Sequence, residues 1–249
     1  MPEPILRIEN LNKRFGALPA SEDLSLDLRA REIHAVIGPN GAGKTTLIAQ
    51  LGGQMLPDGG RILLSGRDIT RATPENRTRA GIARSFQVTS VFPEFTAEDN
   101  VALAVQGASG QSFSFWRSAA TDERLRGPAR EALDQVGLAG RAATTVSNLS
   151  HGEQRQLEIA MALATRPRVL LLDEPMAGMG PEESATMTEL LATLKREYAI
   201  LLVEHDMDVV FALADRITVL VYGRAIATGR PDEIRADMEV RQAYLGESA

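Results

Sequence analysis

The chain contains no cysteine, which excludes disulfides, thiolate chemistry and cysteine-held metal sites. It has no apolar run near the ~18 residues that span a bilayer, so no transmembrane helix is expected. The opening MPEPILRIEN lacks the basic-then-apolar pattern of a signal peptide. Positive charge is in the minority: 27 Lys and Arg face 33 Asp and Glu, a net −6, which argues against a general nucleic-acid binder. Internal repeats and low-complexity segments are missing as well, and Trp116 is the single tryptophan. What is there, 249 residues at 44% hydrophobic and 24% charged, is ordinary soluble globular composition. That length makes one large domain or two small ones. A cytosolic protein is expected, and work at a membrane would require another molecule to hold it there.

Residues 38–46 read GPNGAGKTT. They follow the apolar run IHAVI at 33–37 and open onto Leu47, Ile48 and Leu51 at helical spacing. Strand, glycine turn and helix start is the setting of a phosphate-binding loop. Gly38, Gly41 and Gly43 let the backbone turn tightly and aim N–H groups at an anion, and the helix adds the positive end of its dipole. Lys44 would reach the terminal phosphates and the Thr45 hydroxyl would take a place on Mg²⁺. The bland alternative is a glycine-rich turn that fits the pattern by chance, and the flanking strand and helix weigh against it.

Around this loop, strands are expected at residues 5–8, 24–28, 61–64, 82–86, 169–172, 199–203, 217–221 and 224–227, with turns at residues 13–16 and 57–60. Helices are expected at 74–80, with Thr73 as cap and Pro74 at the first position, at 96–105, 122–136, 181–197 and 207–214, and from Pro231 onward. Residues 88–148 show no strand signal and read as a helical insertion in an alternating chain. Strands alternating with helices imply a mostly parallel sheet flanked by helices. Gly43, Gln87, Asp173 and His205 then meet at its carboxyl edge, where such sheets place ligands.

Several residues carry two readings. Phe15 is a core residue at a strand end, the reading composition favours, or a flat face for a purine. Gln87 is a Mg²⁺ or water ligand, or simply solvated. Phe113, Phe115 and Trp116 cover a small core or meet a partner. Ser150, with Glu153 three residues on, forms a capping box, yet Gly152 in the first turn is unfavourable if capping is its only task. A close-approaching anion would explain it. Asp173 and Glu174 end a buried strand, where one would hold Mg²⁺ and the other orient a water. His34 sits within a strand and reads as structural, whereas His205 follows one.

With these residues in view, the whole chain resembles an ATP-binding cassette (ABC) protein. The loop at 38–46, Gln87, the stretch 149–154 (LSHGEQ), the strand ending in Asp173-Glu174 and His205 stand in that family's order. The resemblance implies a P-loop NTPase of the ABC type, α/β, with a mostly parallel sheet, an antiparallel β subdomain and an inserted α-helical subdomain. It implies one ATPase domain over 1–249, with residues 1–87 and 165–249 as core and 88–164 as the helical part carrying the signature helix. ATP and Mg²⁺ are the implied cofactors. The nucleotide would contact Phe15 (reversing the compositional preference), Gly38, Asn40, Gly41, Ala42, Gly43, Lys44, Thr45, Thr46, Gln87, Asp173 and His205. Thr45, Gln87 and Asp173 would serve Mg²⁺. Glu174 is implied as general base, with His205, Gln87 and Lys44 beside it. Ser150 and Gly152 would contact ATP held by a second ATPase subunit, self or close homologue.

Residues 84–87 (RSFQ), 175–179 (PMAGM), 203–207 (VEHDM) and 243–247 (AYLGE) resemble the ATPases of branched-chain amino acid importers, a subfamily that also takes up urea, amides and aromatic acids. Two transmembrane permease subunits, an extracytoplasmic solute-binding protein and a peripheral place on the cytoplasmic membrane face are implied, and no nucleic acid. The stretch 88–106 is the candidate docking surface. His151 stands where many members have glycine, and Gly180 where many have an aspartate that communicates across the dimer. The competing readings are a soluble ABC ATPase, such as an iron–sulfur assembly scaffold, and a small-molecule kinase. A kinase would have no use for the Ser150–Gly152 helix start.

Overall fold

The computed structural model describes residues 3–85, 91–109 and 122–242. The chain opens with an antiparallel pair, β1 (Leu6–Phe15) and β2 (Leu18–Leu28), followed by β3 (Ile33–Ile37) and α1 (Lys44–Gly52). Next come β4 (Gly59–Leu64), β5 (Arg67–Asp68), α2 (Pro74–Ala80), β6 (Ile82–Arg84), α3 (Ala97–Ser109), α4 (Glu123–Gln135) and α5 (His151–Leu163). The chain continues through β7 (Val169–Asp173), α6 (Pro181–Leu194), β8 (Ala199–Val203), α7 (Met207–Leu213), β9 (Arg216–Val221) and β10 (Arg224–Gly229). Two short helices, α8 (Pro231–Ala236) and α9 (Met238–Val240), follow.

The strands form two sheets. One is antiparallel in the order β2-β1-β4-β5, and the other runs β10-β9-β3-β8-β7-β6, with only β10 antiparallel to its neighbour. The parallel strands are mostly apolar because both their faces are covered. Alternate side chains feed different cores: Leu170, Leu172, Ile200 and Leu202 face α3 to α6. Val169, Leu171, Leu201 and Val203 face α1 and the apolar side of the antiparallel sheet. Ala35, Ile37, Ile217 and Val219 pack under α7, α8 and α9. The carboxyl ends of β3, β6, β7 and β8 therefore emerge side by side.

The structure corrects several boundaries. Residues 13–15, read as a turn, continue β1, and only Gly16-Ala17 turns. The ladder runs on there through Lys13↔Ser21 and Phe15↔Leu18 although the apolar alternation has faded, and Asp58 holds Lys13 Nζ and Arg14 N, each at 2.8 Å. The turn at 57–60 is shorter than expected because β4 begins at Gly59. α6 stops at Leu194, short of Glu197. The C-terminal helix breaks at Asp237, whose carboxylate accepts from the N–H groups of Glu239 and Val240 and so starts a new helix instead of continuing the old one. Gln87, Phe113, Phe115, Trp116 and the 243–247 stretch lie outside the described residues.

Two buried polar residues hold the frame. Arg77, 1% exposed, donates to the carbonyls of Gln50 (2.5 Å), Leu51 (2.8 Å), Thr70 (2.8 Å) and Ala72 (3.1 Å). The first two are at the C-terminal end of α1, where unpaired carbonyls and the negative dipole end favour a cation. Burial pulls the guanidinium down to about 10. His34, also buried, donates from Nδ1 to Asp27 O (2.9 Å). Its Nε2 accepts from the Thr218 hydroxyl (2.8 Å). Burial pushes this ring down to about 4, and the Arg216 charge adds to the shift.

Replacing Arg77 by Met should lower unfolding free energy by about 3 kcal/mol, since it strips charged donors from buried carbonyls; urea denaturation with an unchanged slope would check this. The unfolded chain protonates His34 near 6.5 and the folded chain only near 4. Stability from this residue is therefore complete above pH 6.5 and drops as pH falls toward 4. At pH 5 the loss is about 2 kcal/mol, and urea titrations of the parent and His34→Gln at pH 7 and pH 5 should differ by that amount.

Candidate nucleotide site

β3 ends at Ile37 and the next six residues wrap around to α1. Gly38 and Gly43 are demanded by their neighbours: a Cβ on either would lie 2.1 Å from a carbonyl oxygen, that of Leu220 or of Ala20. The loop is thus pressed between β9 and β2, and Gly223 N donates to Ala42 O at 2.9 Å. Gly43, at φ 105, is the N-cap of α1, and no side chain caps that helix. Its first N–H groups are left for an outside acceptor, the arrangement that receives phosphate. Asn40, Gly41 and Thr45 are exposed, Thr46 half-buried and Ala42 buried. Lys44 is buried and folds back on the loop, its Nζ donating to Gly38 O (2.7 Å) and Pro39 O (3.0 Å). Burial lowers the ammonium's pKa, and Glu174 and Asp173 pull the other way.

The acids stand opposite. Asp173, 2% exposed at the end of β7, accepts from Arg84 Nη2 at 3.3 Å through Oδ2. Its other oxygen is buried without a hydrogen-bond partner among the described residues. Burial raises its pKa, Arg84 and Lys44 lower it, and Glu174 raises it further. Glu174 adopts the left-handed region at φ 51 and donates its N–H to Val203 O (2.9 Å), which ties the end of β7 to the end of β8. His205 Nδ1 lies 3.8 Å from Glu174 Oε1 and 3.8 Å from Glu204 Oε2. The Glu204 carboxylate is buried and accepts from Met176 N (3.0 Å) and His205 N (3.1 Å); burial raises its pKa.

The residues fit a divalent cation. The orphaned Asp173 oxygen wants a positive partner, and the Thr45 side chain belongs to the helix that starts in the loop. No group of three or more His, Cys, Asp or Glu side chains placed to hold a metal occurs among the described residues. A cation would therefore take most of its ligands from phosphate and water, as Mg²⁺ does beside nucleotides.

Of the expected residues, Lys44, Asp173, Glu174 and His205 are brought together. Phe15 is 50% exposed, so it is not a core residue, and Lys13 Nζ stands 5.9 Å from its ring centre. Ser150 and Gly152 begin α5 and face Glu183 of α6 instead: Gly152 N and Ser150 Oγ donate to Glu183 Oε1 at 3.0 and 3.1 Å. The capping box is formed. Arg84, Glu204 and Glu183 were missed; the only local hint was a charged residue at the end of an apolar strand, as at Arg84 and Glu204.

The ABC transporter family model matches residues 21–177. The high-affinity branched-chain amino acid transport ATP-binding protein LivG of Salmonella typhimurium is 40% identical over 100% of both chains. This chain belongs to the ABC transporter family. The cassette is therefore an ATP-binding and ATP-hydrolysing subunit. A second model, branched-chain amino acid ATP-binding cassette transporter, matches residues 226–249. Among solved structures, the ADP conformation of MJ1267, an ATP-binding cassette of an ABC transporter, is 29% identical with a TM-score of 0.87, covering 98% of this chain and 100% of that one. The dimeric post-hydrolysis state of the cassette MJ0796 bound to ADP and Pi is 25% identical, with a TM-score of 0.75 and coverage of 91% and 98%. The fold expected from the sequence, an ABC-type P-loop NTPase with a second antiparallel sheet, is the one observed.

Removing the Arg84 charge by Arg84→Met should move the titration of Asp173 to higher pH, because that guanidinium is the main group holding the carboxylate down. Side-chain carboxyl NMR of parent and variant would show the direction, and an unmoved titration would contradict the pairing.

Proposed function

We propose that the protein powers an importer of branched-chain amino acids or a related small polar, amide or aromatic solute. The observation that carries this reading is the convergence of Lys44, Asp173, Glu174 and His205 at one sheet edge. It occurs in a chain alike from end to end to a protein named for branched-chain amino acid transport. That full-length likeness does not favour the scaffold alternative.

The ATP phosphates occupy the loop formed by Gly38, Asn40, Gly41, Ala42, Gly43, Lys44, Thr45 and Thr46. Lys44 exchanges the carbonyls of Gly38 and Pro39 for phosphate oxygens, and Phe15 offers its exposed face to adenine. Thr45, Asp173 and Gln87 would hold Mg²⁺, which would neutralise phosphate charge. Glu174 orients a water and takes its proton as the water oxygen bonds to the γ-phosphorus. The bond to the bridging oxygen breaks and ADP leaves with the electron pair. His205, fixed through Glu204, stands beside the γ-phosphate.

Ser150 and Gly152 reach the ATP of a second subunit, self or close homologue; the dimeric neighbour supports such pairing. Residues 88–164 act as the helical unit and residues 1–87 and 165–249 as the core. A cavity of about 430 Å³ between them, lined by Ser85, Ala104, Gly107, Glu158 and Met161 among others, supports docking of a permease segment beside α3. Two permease subunits hold the cassette at the cytoplasmic membrane face, and a solute-binding protein outside selects the cargo. Among the described residues no helix is long and apolar enough to cross a membrane.

Glu174→Gln should reduce ATP turnover by at least about 100-fold while ATP binding persists; full turnover in that variant would remove Glu174 as the base. Phe15→Ala should weaken ATP binding by about 5- to 150-fold, the range that base stacking supports, as read by nucleotide titration.

A further inference from the structure

The N-terminus of α5 already holds an anion, and it is one of the chain's own. Glu183 Oε1 accepts from both Ser150 Oγ (3.1 Å) and Gly152 N (3.0 Å), and Oε2 accepts from Gly180 N (3.4 Å). A Cβ at Gly152 would lie 2.8 Å from that oxygen, so the missing side chain leaves room for the carboxylate. These bonds, Gly152 first, hold the Glu183 carboxyl below the usual range. His151 strengthens the same junction, its Nε2 donating to Ala177 O at 3.2 Å. The Glu183 contacts run to the first turn of α6, and the His151 contact runs to the segment between β7 and α6, the stretch that follows Glu174.

We propose that Glu183 is a positioning residue whose carboxylate occupies the Ser150 and Gly152 donors in the unpaired subunit and yields them to the partner's nucleotide phosphate on closure. The inference rests on the reading that these donors act across a dimer. A terminal phosphate displaces the carboxylate because it carries more charge and more acceptor oxygens to the same two donors. Once displaced, Glu183 still caps its own helix through Gly180 N, and a cavity of about 150 Å³ lined by Gln156, Thr186 and Met187 adjoins it. Until then it keeps Ser150 and Gly152 aimed together and sets a threshold that ATP must overcome. Release of Glu183 also loosens α5 from the first turn of α6, the helix that follows the segment after Glu174.

The test uses the purified subunit carrying Glu174→Gln, with the ATP concentration at half-maximal dimerisation as readout. Adding Glu183→Gln should lower that concentration about tenfold, the effect of weakening a charge-assisted contact. Glu182→Gln, a neighbouring exposed acid, should leave it unchanged and so controls for net charge. An unchanged or raised concentration in Glu183→Gln overturns the proposal while leaving dimer closure standing. A Glu174→Gln parent that dimerises with ATP neither with itself nor with a close homologous ATPase subunit overturns the cross-dimer reading and the proposal with it. In the nucleotide-free subunit, amide exchange adds a second check. Gly152 N–H lies in the first turn and has no acceptor within its helix, so Glu183→Ala should accelerate its exchange and Glu182→Ala should not. Equal exchange in both variants would show that the carboxylate does not sit on these donors.

Discussion

The parallel pairing of β3, β8 and β7 is the constraint on which the site depends. The loop holding Lys44, the Asp173–Glu174 pair and His205 leave from the carboxyl ends of these strands, so their mutual placement is only as exact as the strand register. Hydrophobic alternation does not set that register, because both faces are buried and a one-residue slip would exchange one apolar set for another. The ends set it. Glu174 N bonds Val203 O, Ser85 N bonds Leu171 O, and Glu204 accepts from Met176 across the gap between β8 and β7. A slipped strand would drag a carboxylate into an apolar core and abandon these bonds. The polar residues proposed for the chemistry thus also lock the frame that aims them.

That double role has an electrostatic consequence. Asp173 and Glu204 are buried acids whose pKa values are raised by desolvation, and Glu174 adds like charge beside them. Arg84 and Lys44 offset this, but incompletely, since one Asp173 oxygen stays without a partner among the described residues. A site in this condition is unfavourable by itself and would be relieved by a cation bound with phosphate. Lys44, parked on the carbonyls of Gly38 and Pro39, is held in readiness by weak neutral acceptors that anionic oxygens readily replace.

What the sequence made legible was local chemistry. Thr73 followed by Pro74 announced α2, and Ser150 with Glu153 announced α5 and its capping box. The apolar runs at 33–37, 169–172 and 199–203 announced the buried strands. Each of these signals fits inside one window of a few residues. What escaped notice was decided by distant partners. Residues 13–15 are strand only because β2 and Asp58 complete their ladder. Arg84 finds Asp173 across 89 positions, Met176 finds Glu204 across 28, and Gly152 finds Glu183 across 31. No periodicity encodes such pairs, so a lone charge near a strand end or in a helix's first turn looks merely solvated until the fold supplies its neighbour.

Ser150 shows why a cap and an anion site need not be rival descriptions. A hydroxyl has one proton to donate and two lone pairs. Capping uses a lone pair: Ser150 Oγ accepts from Glu153 N at 3.2 Å, while Glu153 returns a bond to Ser150 N at 2.8 Å. The proton remains available, and in this structure it is directed at a carboxylate oxygen. Aspartate caps helices as well as serine does, but an ionised aspartate has no proton to offer and would repel any second anion. The hydroxyl is the smaller group that satisfies the helix and still attracts negative charge. Gly152, by withholding a side chain, lets that charge come within hydrogen-bonding distance of the backbone.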